Sequence, residues 1–283
     1  MKNFLCLLFA PFLFLAAAPP VLLRSFEELP AVFTELNPNR TVVLLDLDDL
    51  ILYPRSALGS LMWLDVMEEF LLGDGLTQQE ANRVRFLIWE YGLLHSTFEL
   101  ANVRSKNILA NLQGSGLSIL GVTRRSKLSA DALISQLNKL GINLFSSLSP
   151  FLQLSFFLPA KEPVAIWTQG VLFTGSTPIC EACERFVETV SVPLHSVVCI
   201  SSVREFLDEC RLCFSSKKTN NIYVLLALAD RPNRIEEDAK FQLLGLRPAL
   251  TDEDTQVIRA PTPTYSDRDV LNKIREIWNM CSG

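Results

Sequence analysis

Three carboxylates crowd the end of a short apolar stretch, Leu45-Asp46-Leu47-Asp48-Asp49-Leu50. Asp46 and Asp48 are two residues apart, so in an extended chain both side chains point to the same side. Two carboxylates this close can divide a reaction, with one as nucleophile or metal ligand and the other as proton carrier. An acidic turn that caps a helix is the alternative interpretation, because Asp-x-Asp alone is a weak motif.

The elements that must position these acids alternate between strands and helices. Residues 41–47 are apolar, β-branched and few, which predicts a buried strand ending at the acids. Further strands are predicted at residues 117–122, 171–174, 196–200 and 222–226, and a last amphipathic helix at residues 270–278. The alternation predicts an α/β fold with a doubly wound, mostly parallel sheet covered on both faces. Such sheets place ligand sites at the carboxyl ends of their strands.

Residues 53–115 interrupt the alternation directly after the first strand, and the whole stretch is predicted to be helical. The helices are predicted at residues 61–72, 77–94 and 98–112. The middle one opens with a capping box formed by Thr77 and Glu80. We interpret the block as an inserted helical cap, so the α/β core consists of residues 19–52 and 116–283.

Composition sets the class of protein. The chain has 283 residues, 49% of them hydrophobic, which is enough for one substantial core. Lysine and arginine number 26 against 31 aspartate and glutamate residues, for a net charge of -5, and no block of like charge stands out. A basic surface for nucleic acid is therefore not expected.

Residues 1–18 form a candidate secretory leader. Lys2 precedes an apolar run that ends in three alanines, which is the pattern of a signal peptide. Export, to the periplasm or as a secreted protein, is therefore predicted. Pro19 and Pro20 disfavour cleavage directly after the run, so an uncleaved anchor is the alternative. Such an anchor would be the chain's one predicted link to a membrane.

Two glycine motifs accompany the acids: Gly121-Val-Thr-Arg-Arg-Ser126 and Gly170-Val-Leu-Phe-Thr-Gly175. A strand ending in Asp-x-Asp, a helical cap and a second strand ending in Thr123 together resemble the haloacid dehalogenase-like phosphohydrolases. The glycine motifs more closely resemble a branch of exported members of that family from intracellular bacteria. The resemblance covers roughly residues 40–230.

The resemblance implies a phosphatase mechanism. Asp46 would attack phosphorus and form an aspartyl-phosphate, while Asp48 would protonate the leaving group and then activate water. Thr123 would hydrogen-bond the phosphoryl oxygens. Asp46, a backbone carbonyl near Asp48 and acids after the fourth strand would hold Mg²⁺, and a lysine would neutralise the nucleophile and the phosphate.

The sequence departs from the family pattern at positions that bring charge. The loop threonine is Leu50, the lysine position is Ile179, and the two acids after the fourth strand are Ser201 and Ser202. A serine hydroxyl is a poor ligand for a hard divalent cation because it brings no charge. Losing one preorganised charge typically slows catalysis about a hundred- to a thousandfold. The candidate stand-ins are Asp230, Glu181 and Arg124.

These departures predict an incomplete site with weakly bound Mg²⁺ at most, and three functions from different classes remain open. The favoured one is a non-catalytic scaffold that binds a small phosphorylated or acidic ligand, or a partner protein. The second is a Mg²⁺-dependent phosphomonoesterase that uses Asp46 and Asp48. The third is a cysteine-linked structural protein of the envelope or the secreted fraction.

Four of the cysteines form two Cys-x-x-Cys pairs, Cys180 with Cys183 and Cys210 with Cys213. On spacing alone the two pairs suggest a tetrathiolate zinc site. However, Cys183 and Cys210 fall on apolar faces of predicted helices, where a free cysteine commonly packs as a small hydrophobe. Cys210 also lies roughly 12 Å along its helix from the strand end, so we expect the four sulfurs not to converge. Disulfides, which export would permit, are the other alternative.

Overall fold

The computed structural model describes residues 20–54, 60–73, 75–96, 98–145, 156–157, 165–175, 177–190, 195–214 and 219–226. The predicted leader at residues 1–18 and the predicted last helix at residues 270–278 lie outside them. Among the described residues, no helix is both long and apolar enough to span a membrane.

Strands and helices alternate over the described part of the chain. The strands are β1 (Val21–Leu23), β2 (Thr41–Asp46), β3 (Leu52–Pro54), β4 (Phe98–Leu100), β5 (Ser118–Thr123), β6 (Phe156–Phe157), β7 (Ile166–Thr168), β8 (Val171–Phe173), β9 (Ser196–Ser201) and β10 (Asn220–Leu226). The helices are α1 (Leu29–Val32), α2 (Leu61–Gly73), α3 (Gln78–His95), α4 (Ser105–Gly114), α5 (Ala130–Lys139), α6 (Ile179–Val190) and α7 (Arg204–Phe214).

The main sheet has the strand order β1-β10-β9-β2-β5-β8-β7-β6. The strands from β1 to β8 in this order pair in parallel, and β7 and β6 continue the sheet in antiparallel fashion. From β2 the chain moves outward through β5 to β8, and it then returns to build β9 and β10 on the other side of β2. The predicted α/β fold with a mostly parallel sheet is confirmed, and β2 lies where the strand order reverses.

The reversal places helices on both faces of the sheet, because parallel crossovers keep one hand. Val43 and Leu45 of β2 share a core with the buried leucines of α4 and α5. Val42 and Leu44, which point to the other face, share a second core with α6 and α7. Every residue of β2 is buried, as expected for a central strand with both faces covered.

The block between β2 and β5 is not wholly helical, so that prediction is wrong. Phe98–Leu100, predicted to start a helix, forms β4 and pairs antiparallel with β3. The chain then turns at Asn102, whose side-chain Oδ1 accepts a hydrogen bond from the Arg104 N–H and whose carbonyl oxygen accepts one from the Ser105 N–H. Helix α4 begins only at Ser105. The pairing with β3 is a tertiary contact that the apolar spacing of residues 98–112 does not reveal. The capping box of Thr77 and Glu80 that opens α3 is confirmed.

Three strands of the main sheet were not predicted: β1 at one end, and β7 and β6 at the other. Val21–Leu23, which prolongs the apolar run of the leader in sequence, forms β1 and pairs in parallel with β10. Ile166–Thr168 forms β7, which pairs with β8 through a tight turn at Gln169 and Gly170. None of these strands is longer than three residues, so periodicity gives almost no signal for them.

Gly121 and Gly170, the first residues of the two glycine motifs, lie where the Cβ of any other residue would collide with neighbouring atoms. A Cβ added to Gly121 in β5 would lie 2.7 Å from Leu47 Cδ1 and 2.8 Å from Leu144 Cδ1. Gly170 has a φ of +84°, and its added Cβ would lie 2.7 Å from the carbonyl carbon of Leu144. Both glycines therefore allow the segment around Leu144 to pack closely against the sheet.

We expect Gly170→Ala to lower the free energy of unfolding by about 1–3 kcal/mol, because a left-handed backbone and a backbone collision are combined at one residue. Urea denaturation of the wild type and the variant measures the change. Gly114→Ala is the matched control, since no atom lies within 4 Å of the added Cβ. The control should be neutral or slightly stabilising. Equal stability of Gly170→Ala and the wild type would contradict the packing argument.

Candidate functional site at the reversal of the sheet

The carboxyl ends of four adjacent parallel strands meet at one edge of the sheet. Asp46 ends β2, Thr123 ends β5 and Ser201 ends β9, while Ile179 begins the helix that follows β8. The residues therefore lie at the strand ends where the sequence analysis expects a ligand site. Because β2 is the strand at which the order reverses, the acids lie at the crevice where open α/β sheets hold ligands.

Asp46 is buried, with 6% of its surface exposed. Ser201 donates a hydrogen bond from Oγ to Asp46 Oδ2 at 2.5 Å, and the Val203 N–H donates to Ser201 Oγ at 2.9 Å. Burial raises the pKa of Asp46 to about 8, against the lowering effect of the Ser201 hydrogen bond. The charge of Asp48 raises this pKa further, and the charge of Arg124 lowers it. The carboxyl expected to be the nucleophile is thus held in an environment that disfavours its charge.

Asp48 is enclosed by hydrogen bonds on both oxygens. Thr123 Oγ1 donates to Oδ2 at 2.5 Å, and Arg125 Nε donates to Oδ1 at 2.9 Å. Arg125 Nη2 also lies 2.9 Å from Oδ1, but its N–H groups are not aligned with that oxygen, so this second contact is an ion pair without a hydrogen bond. The Arg125 backbone N–H in turn donates to Thr123 Oγ1 at 3.1 Å. Asp48, Thr123 and Arg125 therefore satisfy one another.

Arg125 is a site residue that our sequence analysis missed. Its side chain is 1% exposed, its guanidinium carbon lies 4.8 Å from the centre of the Phe98 ring, and Nη1 donates to Gln136 Oε1 at 3.4 Å. The sequence does contain a signal for it, since Arg125 is two residues after Thr123 and extended residues two apart point to the same side. Its position brings a buried positive charge to Asp48.

Arg124 and Glu209 join the site to the start of α6. Arg124 Nη2 lies 3.1 Å from Glu209 Oε1, and the Ile179 N–H donates to Glu209 Oε2 at 3.1 Å. Ile179 itself is buried in the core beneath α6, so its side chain does not take the place of the family's lysine. Of the other candidate stand-ins, Glu181 pairs with Arg185 along α6, and Asp230 lies outside the described residues.

Leu50 and Ser202 are the other positions at which the sequence departs from the pattern that the resemblance implies. Leu50 is fully buried in the core, within a turn that returns the chain from β2 to β3. Asp49 adopts a left-handed backbone with a φ of +57°, and its N–H donates to the Leu52 carbonyl at 2.9 Å. Ser202 follows Ser201 and is half-buried. The loop after β2 is therefore fixed by its own backbone.

Mg²⁺ does not fit these side chains. Within the described ranges, no group of three or more histidine, cysteine, aspartate or glutamate residues is arranged to hold a metal ion. Asp48 is bound to Thr123 and Arg125, and Asp46 has a serine hydroxyl beside it where a second carboxylate would be needed. A hard divalent cation requires several oxygen ligands, usually including carboxylates.

Helix α3 contacts the loop that follows β5. Glu90 of α3 accepts hydrogen bonds from the Ser126 N–H and the Ser129 hydroxyl. Arg85, also on α3, pairs with Glu68 of α2. Burial lowers the pKa of Arg85, an effect that the charge of Asp65 opposes and the charge of Arg124 reinforces. The side chains of Arg85 and Arg124, from α3 and from the loop after β5, are therefore close enough for their charges to interact.

The described cysteines are free thiols. Cys183 and Cys210 are fully buried among the apolar residues of α6 and α7, which confirms the prediction for them. Within the described residues, these cysteines included, no group of three or more metal-ligating side chains is arranged to hold an ion. The two motifs do contact each other, since Cys213 Sγ lies 2.7 Å from the carbonyl oxygen of Cys180. That contact depends on how α6 and α7 pack together, which the estimate along the helix axis did not include.

Fold and site together define an α/β protein whose buried acids lie where a mostly parallel sheet reverses its strand order. A family model described as "Protein of unknown function (DUF2608)" matches residues 23–252, and the chain belongs to that family. The matched stretch contains β2, β5, β8 and β9, which position the site. Searches of curated proteins and of solved structures gave no match.

Proposed function

We propose that the chain is a haloacid dehalogenase-like protein with an inserted cap, and that its site binds a small anionic ligand without hydrolysing it. The cap consists of α2 and α3, which lie between the paired strands β3 and β4. One observation carries the proposal: Asp48, Thr123 and Arg125 are hydrogen-bonded to one another, so the side chains that the mechanism requires are already engaged within the protein.

The bonding of each retained residue argues against catalysis. Both oxygens of Asp48 are engaged by Thr123 and Arg125, so neither is free to face a leaving group. The hydroxyl of Thr123 both donates and accepts within the site. With a pKa of about 8, Asp46 is mostly protonated at neutral pH, and a neutral carboxyl is a poor nucleophile.

Three arginines at the site support an anionic ligand, which would compete with the carboxylate that each of them now pairs with. The sequence alone indicates a pocket that keeps its negative groups and lacks its positive ones. Arg125 neutralises Asp48, and Arg124 and Arg85 act on the same region from the core and from α3. Guanidinium groups bind phosphate and carboxylate in a planar, directional way. The ligand class favoured by this chemistry is a small phosphorylated or carboxylated molecule.

A Mg²⁺-dependent phosphomonoesterase is the second candidate. It is favoured by Arg125, because that residue brings a positive charge to Asp48, and the lysine of haloacid dehalogenase-like phosphatases is missing here. The metal remains its weakest point, since the donor set around Asp46 includes serine rather than a second carboxylate.

Hydrolysis of p-nitrophenyl phosphate in the presence of Mg²⁺ separates the two candidates. We expect the wild type and Asp46→Asn to show the same background rate, because neither has an ionised nucleophile beside a bound metal. A wild-type rate about a hundredfold or more above that of Asp46→Asn would establish the phosphatase and refute the non-catalytic proposal.

Calorimetric titration with inorganic phosphate tests the ligand half of the proposal. The wild type should bind phosphate, and Arg124→Ala should bind it at least about tenfold more weakly because a charge-assisted contact is lost. Arg40→Ala is the matched control, since Arg40 is exposed and precedes the opposite end of β2. An absence of binding by the wild type, or equal loss in both variants, would remove the anionic ligand from the proposal.

Export is proposed from the sequence of residues 1–18. The test is expression of the full chain in a Gram-negative host, followed by fractionation and N-terminal sequencing. Recovery of the intact chain from the cytoplasm alone would contradict export. A periplasmic chain that begins after residue 18 would support it together with cleavage.

A further inference from the structure

Four cysteines lie on α6 and α7, two on each helix. The two cysteines of each Cys-x-x-Cys pair are three residues apart, so they lie on one face of their helix. The Cys213 thiol donates a hydrogen bond to the backbone carbonyl oxygen of Cys180, and Cys183 and Cys210 are buried in the core that the two helices share. The first residue of one motif therefore meets the last residue of the other. We call Cys180 and Cys213 the outer pair, and Cys183 and Cys210 the inner pair.

The outer pair differs from the inner pair in its access to solvent. Cys183 and Cys210 have no exposed surface, whereas Cys180 is half-buried in the first turn of α6. Cys213 is buried, and its sulfur lies 2.7 Å from the carbonyl oxygen of Cys180. With standard bond lengths, that contact puts the Cys213 sulfur no more than about 5 Å from the Cys180 Cα. A rotation of the Cys180 side chain spans most of that distance.

We propose that Cys180 and Cys213 form a thiol–disulfide exchange site that reacts with a small-molecule disulfide such as oxidised glutathione. The Cys180 thiolate attacks one sulfur of the reagent, forms a mixed disulfide and releases the first small thiol. The Cys213 thiolate then attacks Cys180 Sγ, forms the protein disulfide and releases the second small thiol. The two protein thiols are oxidised by two electrons, and the reagent disulfide is reduced to two thiols, which take up, through solvent, the two protons that the protein thiols lose.

Burial decides the order of the two steps. A reagent larger than water can reach the half-buried Cys180 but not Cys213, Cys183 or Cys210. Burial also raises the pKa of the Cys213 thiol, which slows its direct attack on an external disulfide. Once Cys180 carries the mixed disulfide, its sulfur is already beside Cys213, so the second step is intramolecular.

The reaction would act next to the candidate site. Cys180 follows Ile179, whose N–H donates to Glu209, and Glu209 pairs with Arg124. A covalent bond between the start of α6 and the end of α7 would fix the two helices around that contact. The inference does not depend on the proposed function, since it concerns thiols that take no part in binding the ligand.

Peptide mapping of the full-length protein under non-reducing conditions tests the proposal directly. Trypsin separates the two cysteines of α7 by cutting after Arg211, while Cys180 and Cys183 remain in one peptide that ends at Arg185. After incubation with oxidised glutathione, we expect that peptide to be linked to residues 212–217, which contain Cys213. A link to residues 205–211 instead would show that Cys210 reacts and would overturn the assignment.

Variants assign the order of the steps. Cys213→Ser should stop at a stable glutathione adduct on Cys180, and Cys180→Ser should give neither adduct nor cross-link. Cys281→Ser is the control and should leave the cross-link unchanged. The absence of any cross-link in the wild type, purely intermolecular disulfides, or stoichiometric zinc that holds the thiols would each refute the proposal. Because the mapping of the wild type needs no variant, a variant that fails to fold does not prevent the test.

Discussion

Replacing Asp46 with asparagine should stabilise the protein, by about 4 kcal/mol in the free energy of unfolding at pH 7. The expectation follows from the pKa of the Asp46 carboxyl, which burial raises from 3.8 to about 8. An asparagine has nearly the same shape and can still accept the Ser201 hydrogen bond, but it never ionises. The variant thus removes the cost of keeping this group at neutral pH in a place that disfavours its charge.

The sign of the effect sets its pH dependence. Because the folded state binds this proton more tightly than the unfolded state, Asp46 contributes stability that is fully present below about pH 4. That contribution is lost as the pH rises from about 4, where the carboxyl titrates in the unfolded chain, to about 8, where it titrates in the folded protein. The gap between Asp46→Asn and the wild type should therefore be small near pH 4 and largest at and above pH 8.

Urea denaturation of both proteins at several pH values measures this gap. Asp208→Asn is the control, because Asp208 is exposed on α7 and its ion pair with Arg211 is at the surface. That change should shift stability by no more than about 0.5 kcal/mol. A variant Asp46→Asn that is less stable than the wild type at pH 7, or a gap that does not change with pH, would contradict the argument.

The stability that Asp46 costs is itself informative about function. A fold that needed only a filled core at this position would be served better by an uncharged side chain. Asp46 lowers the stability of the fold at neutral pH, and it lies where the strand order reverses, beside cationic residues. Carboxyl groups of this kind mark binding or catalytic sites. The phosphate titration and the stability of Asp46→Asn therefore test two consequences of the same arrangement, a buried carboxyl beside arginine side chains.

The sequence predicts the central part of this fold because the signal there is long and local. Residues 41–47 are uniformly apolar and β-branched, and they form β2 with every residue buried. The helix that carries Leu133 and Leu137 ends before Gly141, which has the left-handed φ of +76° that helix ends favour. Each of these features depends on neighbours along the chain, so it can be inferred without knowledge of the fold.

The elements that sequence reasoning missed depend on distant partners. β4 exists because β3 pairs with it, and β1 exists because β10 offers it a parallel edge. The meeting of the two Cys-x-x-Cys pairs depends on how α6 packs against α7, which helical periodicity does not specify.

The candidate site divides in the same way. Asp46, Thr123 and Ser201 were placed together because each ends a predicted parallel strand. The role of Arg125 could not be inferred from charge counting, because a count treats Arg124 and Arg125 as equivalent cations. In the structure their environments are opposite: the side chain of Arg125 is 1% exposed and that of Arg124 is 34% exposed.

Arg125→Met is expected to lower the free energy of unfolding by about 3–5 kcal/mol. Methionine keeps much of the side-chain length but leaves the buried carboxylate of Asp48 without its ion-pair partner. It also removes the contact with the Phe98 ring and the hydrogen bond to Gln136. The cost arises mainly because a charge is left unpaired in the interior, where water cannot replace the lost partner.

Two further variants separate this cause from a general loss of packing. Arg124→Met makes the same chemical change one residue away, and it should cost less than about 1 kcal/mol because that ion pair is partly solvated. The double variant Arg125→Met with Asp48→Leu removes both charges, so it should be more stable than Arg125→Met alone by urea denaturation. If the double variant is instead the less stable of the two, the unpaired charge is not what destabilises Arg125→Met. In that case Arg125 stabilises the loop through its contacts with Phe98 and Gln136.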